Sequence, residues 1–313
     1  EIASCLVGSE MCIRDRSYDD ILDSCDRTFQ KYHDDSRFSM SRVGVGPTTV
    51  VFENPEFMKE LKKMADNRGG LCHTHLHPRP DEIKKCGELY NCRPHQWLEE
   101  IGWIDKNVSF AHISRHNAEE LDIVARNGAS VTQSPSCHMR LGYPIAPALE
   151  ARDRGIPVSI GVDGGASNDS GDMLGELRTM LYVHRIDGGH PGYGPERWIN
   201  AKEVFEMATV NGAKCLNRDD IGMLKEGMAA DLVLFSMIQP GYAGALTDPR
   251  GALLYCGNNH LADTTIVNGN VLIENGIFLA GDLNQIVEDA NRSTARILKL
   301  VKDKTGIDYR MEA

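Results

Sequence analysis

Residues 108–134, VSFAHISRHNAEELDIVARNGASVTQS, carry the local pattern from which the fold is predicted. An apolar strand over 108–113 precedes a helical segment over 117–127, and a second strand follows over 129–134. Asn117 is a suitable N-cap, the first helical turn is acidic, and Gly128 is a typical helix stop. Strand, helix and strand in succession indicate a βα unit with parallel strands.

The same alternation extends to both sides of this stretch. Further strands are predicted over 42–46, 71–76 and 158–163, and helices are predicted over 55–67, 171–185 and 201–216. After residue 220 the predicted secondary structure changes from alternating strands and helices to β-strands alone. GMAADLVLFSM and TTIVNGNVLIENG are typical of β-strands, and Asn268-Gly269 is a hairpin signal. A C-terminal helix is predicted from Leu283 to Thr305. The sequence therefore predicts an α/β domain, a small β-domain and a terminal helix.

Composition narrows the classes of function. The 313 residues are 41% hydrophobic and carry a formal net charge of −11, with no run of Lys or Arg. Nucleic acids and anionic membranes both need clustered positive charge, so neither is expected as a partner, and a small-molecule substrate is favoured. No apolar stretch reaches membrane-spanning length. The nine cysteines form no C-x-x-C pair, which predicts reduced thiols and a cytoplasmic location.

Polar side chains recur at the C-terminal ends of the predicted strands. His75 ends one strand, His112 the next, Gln133 and Ser134 the third, and Asp163 the fourth. In a barrel of parallel strands these ends open on one face, where barrel enzymes place their catalytic groups. A single His at a strand end is more often a hydrogen-bonded core residue, but four such positions in step favour a site. His and Asp are ligands of catalytic divalent metals, so the pattern predicts metal-assisted hydrolysis.

Three motifs carry a resemblance to a known family. HTHLHPRPDE from His73, FAHIS from Phe110 and IGVDGGASNDSGDMLGELR from Ile160 resemble strands five, six and eight of the amidohydrolase superfamily. The similar branch contains 8-oxoguanine deaminases, S-adenosylhomocysteine deaminases and triazine hydrolases. The tail GMLKEGMAADLVLF with TTIVNGNVLI resembles the C-terminal half of the β-sandwich of these enzymes.

The resemblance covers about residues 17–290 and implies a partial TIM-type (β/α) barrel, strands 4–8, with the C-terminal part of a small β-sandwich. On this basis 17–220 is the barrel part, 221–281 the β-sandwich portion and 282–313 the C-terminal helix region. Residues 1–16, EIASCLVGSEMCIRDR, have no initiating Met and no clear period, and they are interpreted as a non-native leader.

The resemblance also implies roles for individual residues. His75 would ligate the metal, Asp163 would both ligate it and accept a proton from the attacking water, and His112 would hold the attacking hydroxide or the leaving group. Asn168 and His138 would face the substrate. The implied activity is hydrolytic deamination of a purine, pterin or triazine by a water that one divalent metal activates, zinc in the first place and iron as the alternative. A homo-oligomer is a further expectation.

Two positions depart from the family pattern. The family usually has H-x-x-E on strand five, with the Glu as proton shuttle, but the position three after His75 is Pro78. His77, Asp81 or Glu82 could replace that Glu. Alternatively, the leaving group needs no ring protonation, as for a halide in a dechlorinating hydrolase.

The second departure is the family's first-strand H-x-H pair, which does not precede strand four here, where His33 stands alone. The chain is therefore interpreted as an N-terminally truncated part of such an enzyme, and a catalytically inactive fragment is the alternative. A sugar- or phosphate-binding barrel without metal is disfavoured, because it leaves His75, His112 and Asp163 unexplained.

Overall fold

A computed structural model describes residues 16–48, 50–76, 80–186, 194–256 and 261–309 of the chain. Its contacts divide these residues into two compact units. The first contains the described residues up to Ala229 and those from Met237 to 256, and the second contains Ala230–Ser236 and the described residues from Leu261 onward. The segment from Met237, inside the predicted β-sandwich portion 221–281, thus belongs to the first unit.

The first unit contains a parallel sheet of five strands that pair in the order of the sequence. The strands are β1 (Gly44–Val45), β2 (Leu71–Leu76), β3 (Val108–His112), β4 (Ser130–Gln133) and β5 (Val158–Ile160). This confirms the predicted α/β class and the five predicted parallel strands. Neighbouring strands that follow one another along the chain without reversal are the arrangement of part of a (β/α) barrel.

Four strands end earlier than predicted, β1 and β3 by one residue each, and for β4 and β5 the backbone explains why. β5 ends at Ile160 rather than Asp163, since Asp163 has φ +66°, a left-handed conformation that cannot continue a strand. β4 ends at Gln133, because Ser134 is already the cap residue of the helix that follows. Ser134 and Asp163 therefore lie on the turns that leave the sheet, and Gln133 is the last residue of β4.

Eleven α-helices are described in the first unit. They are α1 (Tyr18–Tyr32), α2 (Pro55–Asn67), α3 (Pro80–Tyr90), α4 (Pro94–Glu100), α5 (Ala118–Arg126), α6 (Pro135–Leu141), α7 (Ala148–Asp153), α8 (Met173–Val183), α9 (Ala201–Ala208), α10 (Val210–Cys215) and α11 (Pro249–Tyr255).

Local capping explains where the best-predicted helices begin. Asn54 precedes α2, and its side chain accepts hydrogen bonds from the Glu56 and Phe57 N–H groups. Asn117 precedes α5 in a capping box, in which its side chain accepts from the Glu120 N–H while Glu120 accepts from the Asn117 N–H. These side chains satisfy backbone donors that have no partner inside the helix.

The predicted helix 201–216 is two helices, α9 and α10, with a break at Thr209. Thr209 has φ −122° and ψ −85°, outside the helical region, and its hydroxyl donates to the Phe205 carbonyl. α10 contacts β4 and β5, where Asn211 Nδ2 donates to the Val158 carbonyl at 3.1 Å. The break therefore turns the second helix toward the first residues of these strands.

The two faces of the sheet differ in chemistry. On β2, Cys72, Thr74 and Leu76 are buried, whereas His73 and His75 alternate with them on the opposite face. In register, that opposite face continues through Ser109, Thr132 and Ser159, whose hydroxyls form a chain with O···O distances of 3.3 and 2.9 Å. Polar side chains therefore cross this face from strand to strand.

The second unit is a four-stranded antiparallel sheet followed by a helix. Its strands are β6 (Leu232–Leu234), β7 (Thr264–Val267), β8 (Asn270–Glu274) and β9 (Ile277–Phe278), and α12 is Leu283–Thr305. Asn268 and Gly269 have positive φ between β7 and β8, which confirms the predicted hairpin turn. Among the described helices, none combines the length and the apolar composition that a membrane span requires.

Candidate active site

The carboxyl ends of β2 and β3 bring two of the predicted site residues together. The rings of His75 and His112 are stacked, with centroids 5.1 Å apart and planes 17° from parallel. Nδ1 of His112 lies 3.0 Å from Nε2 of His138, which belongs to α6 after β4. Three consecutive strand ends thus contribute an imidazole to one cluster.

Donor atoms at or beyond the carboxyl ends of β3, β4 and β5 are close enough together to bind one metal ion. One ring nitrogen of His112, Sγ of Cys137 and a carboxylate oxygen of Asp163 lie within 4.8 Å of one another, the spacing of atoms that share one metal. Imidazole, thiolate and carboxylate are the ligand types of zinc. His75 is not part of this close group, although its ring stacks on His112 and it interacts electrostatically with Asp163.

The backbone is strained at the same place. His112, Ile113 and Asp163 have φ of +74°, +40° and +66°, values that residues other than glycine rarely adopt. Each such residue costs about 1–3 kcal/mol, and such strain concentrates at functional sites. In β3 the strained residue is the last of the strand, so the turn out of the sheet sets the direction of the His112 side chain.

Burial keeps the three clustered histidines neutral. It lowers the pKa of His75 and of His138. At His112 burial also dominates, and the neighbouring His75 and His138 reinforce it, so that the pKa falls to about 4. A neutral imidazole keeps a lone pair, which metal ligation or acceptance of a proton requires.

Asp163 has the opposite electrostatic character. Burial raises its pKa, but hydrogen bonds from Cys137 and from the Gly164 N–H, with the nearby His112 and His75, bring the pKa below its usual value. Burial and the Asp163 carboxylate raise the pKa of the Cys137 thiol to about 12. The carboxylate is therefore ionised at neutral pH, while the adjacent thiol is protonated.

Glu176 on α8 is a site residue that the sequence analysis did not identify. Its side chain is 1% exposed, and its two oxygens accept from the Ser136 N–H at 2.9 Å and from Asn168 Nδ2 at 3.2 Å. Burial raises the pKa of this carboxyl. Glu176 thus joins the segment that carries Cys137 and His138 to the loop that follows Asp163. Its position in MLGELR, eight residues after Asn168, was the available signal.

His138 and Asn168, predicted to face the substrate, are both buried and hydrogen-bonded within the protein. Nδ1 of His138 lies 2.9 Å from the Pro144 carbonyl oxygen, and its Nε2 meets His112. Besides donating to Glu176, Asn168 accepts from the Ser170 hydroxyl at 3.0 Å. Their polar atoms therefore serve protein contacts in this structure.

The three candidates for the proton shuttle differ in placement. His77, like Pro78, lies outside the described residues. Asp81 and Glu82 are in the first turn of α3, where Asp81 is exposed and Glu82 is 2% exposed.

His33 has a structural contact, since its Nδ1 accepts from the Val43 N–H at 2.9 Å.

Comparison with known sequences identifies relatives of this chain. Residues 3–272 match the model of the amidohydrolase family, a match that begins inside the stretch 1–16 interpreted as a leader. The 8-oxoguanine deaminase of Pseudomonas aeruginosa is 32% identical over 267 residues, 85% of this chain and 58% of that protein. The 5-methylthioadenosine/S-adenosylhomocysteine deaminase of Desulfitobacterium hafniense is 32% identical over 80% of this chain and 57% of that protein.

A solved structure with the same fold contains zinc. Atrazine chlorohydrolase from Arthrobacter aurescens TC1, complexed with zinc, superimposes with a TM-score of 0.84 at 33% identity. The superposition covers 88% of this chain and 60% of that one, so this chain spans less than two thirds of its relatives' length. The strand-end cluster, the matched residues and these similarities establish that the chain belongs to the amidohydrolase family.

Proposed function

We propose that this chain is part of a metal-dependent hydrolase that deaminates a nitrogen heterocycle of the purine, pterin or triazine type. The observation that carries the proposal is the cluster of His75, His112 and Asp163 at the carboxyl ends of β2, β3 and β5 in an amidohydrolase fold. The small-molecule class follows from the relatives, which are named for deamination of purine derivatives and for atrazine chlorohydrolysis.

His75 and Asp163 would hold the metal, and His112 would contact the attacking water. A divalent metal, when bound, would lower the pKa of the water that it binds and would polarise the bond that is cleaved. Zinc is favoured over iron, since a similar structure contains zinc. Cys137 adds a sulfur donor next to Asp163, which also suits zinc.

The protonation states of this chain's residues suit the proposed reaction. The lowered pKa of Asp163 keeps its carboxylate ionised at neutral pH. An ionised carboxylate can accept a proton from the attacking water. Neutral His112 can accept a hydrogen bond from the same water and hold it against the substrate carbon. Proton delivery to the ring would fall to His77, Asp81 or Glu82.

Dechlorination is the second candidate, and Pro78 supports it. The family's usual Glu protonates a ring nitrogen, a step that departure of a halide does not need. Similarity to an atrazine chlorohydrolase agrees with this alternative. The third candidate is that the chain alone is inactive, because His75 and Asp163 hold a metal less firmly than four ligands do.

Metal content per chain tests the proposal. We would measure zinc and iron in this chain and in a version extended upstream to the length of its relatives, and then screen heterocycles for release of ammonia or chloride. About one zinc or iron per extended chain, with little on the short chain, is expected from a site that needs ligands from both parts. Absence of metal from both would overturn the proposal.

A further inference from the structure

We propose that His138 is a positioning residue that fixes the tautomer of His112, so that His112 turns the lone pair of Nε2, and not an N–H, toward the reacting atoms. The functional meaning of this inference rests on the proposed hydrolase, but the hydrogen-bond arrangement itself does not. It gives His138 a role other than the substrate contact expected from the sequence.

The Pro144 carbonyl determines which ring nitrogen of His138 carries the proton. Its oxygen lies 2.9 Å from Nδ1 of His138, and a carbonyl oxygen only accepts hydrogen bonds. Nδ1 of His138 must therefore carry a proton. In a neutral imidazole the other nitrogen is then unprotonated, so Nε2 of His138 is an acceptor.

The protonation of His138 in turn determines that of the neighbouring His112 ring. Nε2 of His138 and Nδ1 of His112 are 3.0 Å apart, and one of the two must donate. Since Nε2 of His138 is the acceptor, Nδ1 of His112 is the donor. Neutral His112 then has its lone pair on Nε2. A single backbone carbonyl thereby determines the tautomer of both rings.

The surroundings favour neutral rings and a fixed geometry. His138 and His112 are 1% and 6% exposed, and burial lowers the pKa of each. The helix that carries His138 ends at Gly142, and the Tyr143 N–H donates to the His138 carbonyl at 2.9 Å. Glu176 holds the start of the same helix through the Ser136 N–H.

The arrangement has a consequence for metal and water. A histidine in a metal site normally donates its second ring N–H to another group, and loss of that partner costs roughly 10–100-fold in metal affinity or activity. Here the partner would be a second imidazole instead of the usual carboxylate or carbonyl. Loss of His138 would let the His112 ring rotate or change tautomer and present an N–H where an acceptor is needed.

The experiment reads the tautomer directly. Ring ¹⁵N–¹H correlation spectra of the ¹⁵N-histidine-labelled, metal-free chain distinguish the Nδ1–H from the Nε2–H form, and the His112 signals are assigned by their loss in His112→Gln. We expect the Nδ1–H form in the wild type. The Nε2–H form of His112 in the wild type would overturn the proposal.

Two variants and a control separate positioning from folding. His138→Gln places an amide oxygen near the former Nε2 and should keep the Nδ1–H form, whereas His138→Leu removes the acceptor and should give a mixture of tautomers. His184→Gln is the matched control, because His184 is also buried and its ring nitrogens lie 3.0 and 3.2 Å from the Met180 and Ala146 carbonyl oxygens. This control should leave the His112 signals unchanged.

Zinc titration of the same variants, made in the upstream-extended protein because the short chain is expected to bind little metal, gives the second readout. Because a ring nitrogen of His112 belongs to the donor group that could share a metal with Cys137 and Asp163, His138→Leu should weaken zinc binding by up to roughly 10–100-fold. His138→Gln should bind zinc close to the wild type. Equal tautomers and equal zinc affinity in wild type and His138→Leu would contradict the inference. Failure of the wild type to bind zinc, with the Nδ1–H tautomer present, would count against the proposed function and leave the positioning role supported.

Discussion

Asp163 combines an unusual backbone with an ionised side chain, and the two can be tested separately. Its φ of +66° is tolerated by Asn and Asp better than by other side chains. Asp163→Asn should therefore preserve the turn while removing the charge. In the upstream-extended protein we expect at least a 100-fold loss of kcat/KM, the usual effect of a positioned catalytic group.

Asp163→Ala supplies the matched comparison. It should lose activity to the same extent and in addition lower the free energy of unfolding by about 1–2 kcal/mol, because Ala is strained in the left-handed region. Urea denaturation of the two variants measures the difference. An Asp163→Asn protein that keeps more than a tenth of wild-type activity would contradict the proposed metal and base role.

The sequence predicted which polar residues meet at the strand ends, and it missed the contacts between loops. His75, His112 and Asp163 could be placed together because parallel strands end at one edge of a sheet. The His112–His138 pair spans 26 residues and the Ser136–Glu176 pair spans 40, and each depends on how a loop turns after its strand. Strand and helix periodicity carries no information about such turns.

At the level of elements, Glu176 connects α6 to the loop after Asp163. Glu176→Ala would leave the buried Asn168 amide and the half-buried Ser136 N–H without their acceptor, at a cost of about 1–3 kcal/mol in the free energy of unfolding. Urea denaturation should show this loss. Glu60→Ala, an exposed substitution on α2, should change stability by less than about 0.5 kcal/mol. Equal stability of the two variants would show that the hydrogen bonds of Glu176 do not stabilise the connection between α6 and the loop after Asp163.

Glu176 should also give the stability a definite dependence on pH. Burial raises its pKa in the folded state, so the unfolded chain releases this proton more readily than the folded chain. The contribution of Glu176 is therefore present at low pH and is lost as the pH rises past its folded pKa. Relative to Glu176→Gln, the wild type should lose stability as the pH is raised from 4 upward, and a flat difference would contradict the buried carboxyl.

Gly222 packs closely against the break between α9 and α10. Gly222 has φ +89°, and a Cβ there would lie 2.9 Å from the Thr209 carbonyl oxygen. Gly227 has a similar φ of +83° with nothing within 4 Å. Gly227→Ala should cost about 1–2 kcal/mol from backbone strain alone. Gly222→Ala should cost about 1–3 kcal/mol more, because it also overpacks the contact. Thermal or urea denaturation measures both, and equal losses would refute the packing argument.

Element positions were predictable where local chemistry determines them. α2 and β2 have the predicted bounds, since Pro55 with its Asn54 cap fixes one start and Gly69-Gly70 separates the two. The predicted helix 201–216 failed at Thr209, whose sequence context continues the helical pattern. Contact of α10 with β4 and β5 decides that break, and this contact is tertiary.

The helix α12 of the second unit presents a mostly apolar stripe. Leu283, Val287, Ala290, Thr294, Ile297 and Val301 follow one another at spacings of four and three residues, the seam of a coiled coil. None of the described α12 residues is buried, and Leu283, Val287 and Ile297 are more than half exposed. Exposed apolar surface of this kind favours association.

The charges on α12 select the orientation of that association. Asp282, Glu288 and Asp289 outnumber Arg292 at and within its N-terminal half. Basic residues outnumber Asp303 in its C-terminal half: Arg296, Lys299, Lys302 and Lys304. Two copies in antiparallel orientation would place acidic halves against basic halves. We therefore expect the chain to form a dimer through α12 that weakens as salt is raised.

Light scattering after size exclusion tests this dimer. Val287→Glu with Ile297→Glu places charge in the seam and should give a monomer, because burial of each apolar side chain contributes about 1.5–3 kcal/mol. Ile238→Glu, at an exposed isoleucine of the first unit, is the control and should leave the dimer intact. Dimers of equal stability in all three proteins would place the contact elsewhere. A wild-type monomer at high protein concentration would mean that α12 does not pair with its own copy, which leaves its apolar seam to another segment of polypeptide.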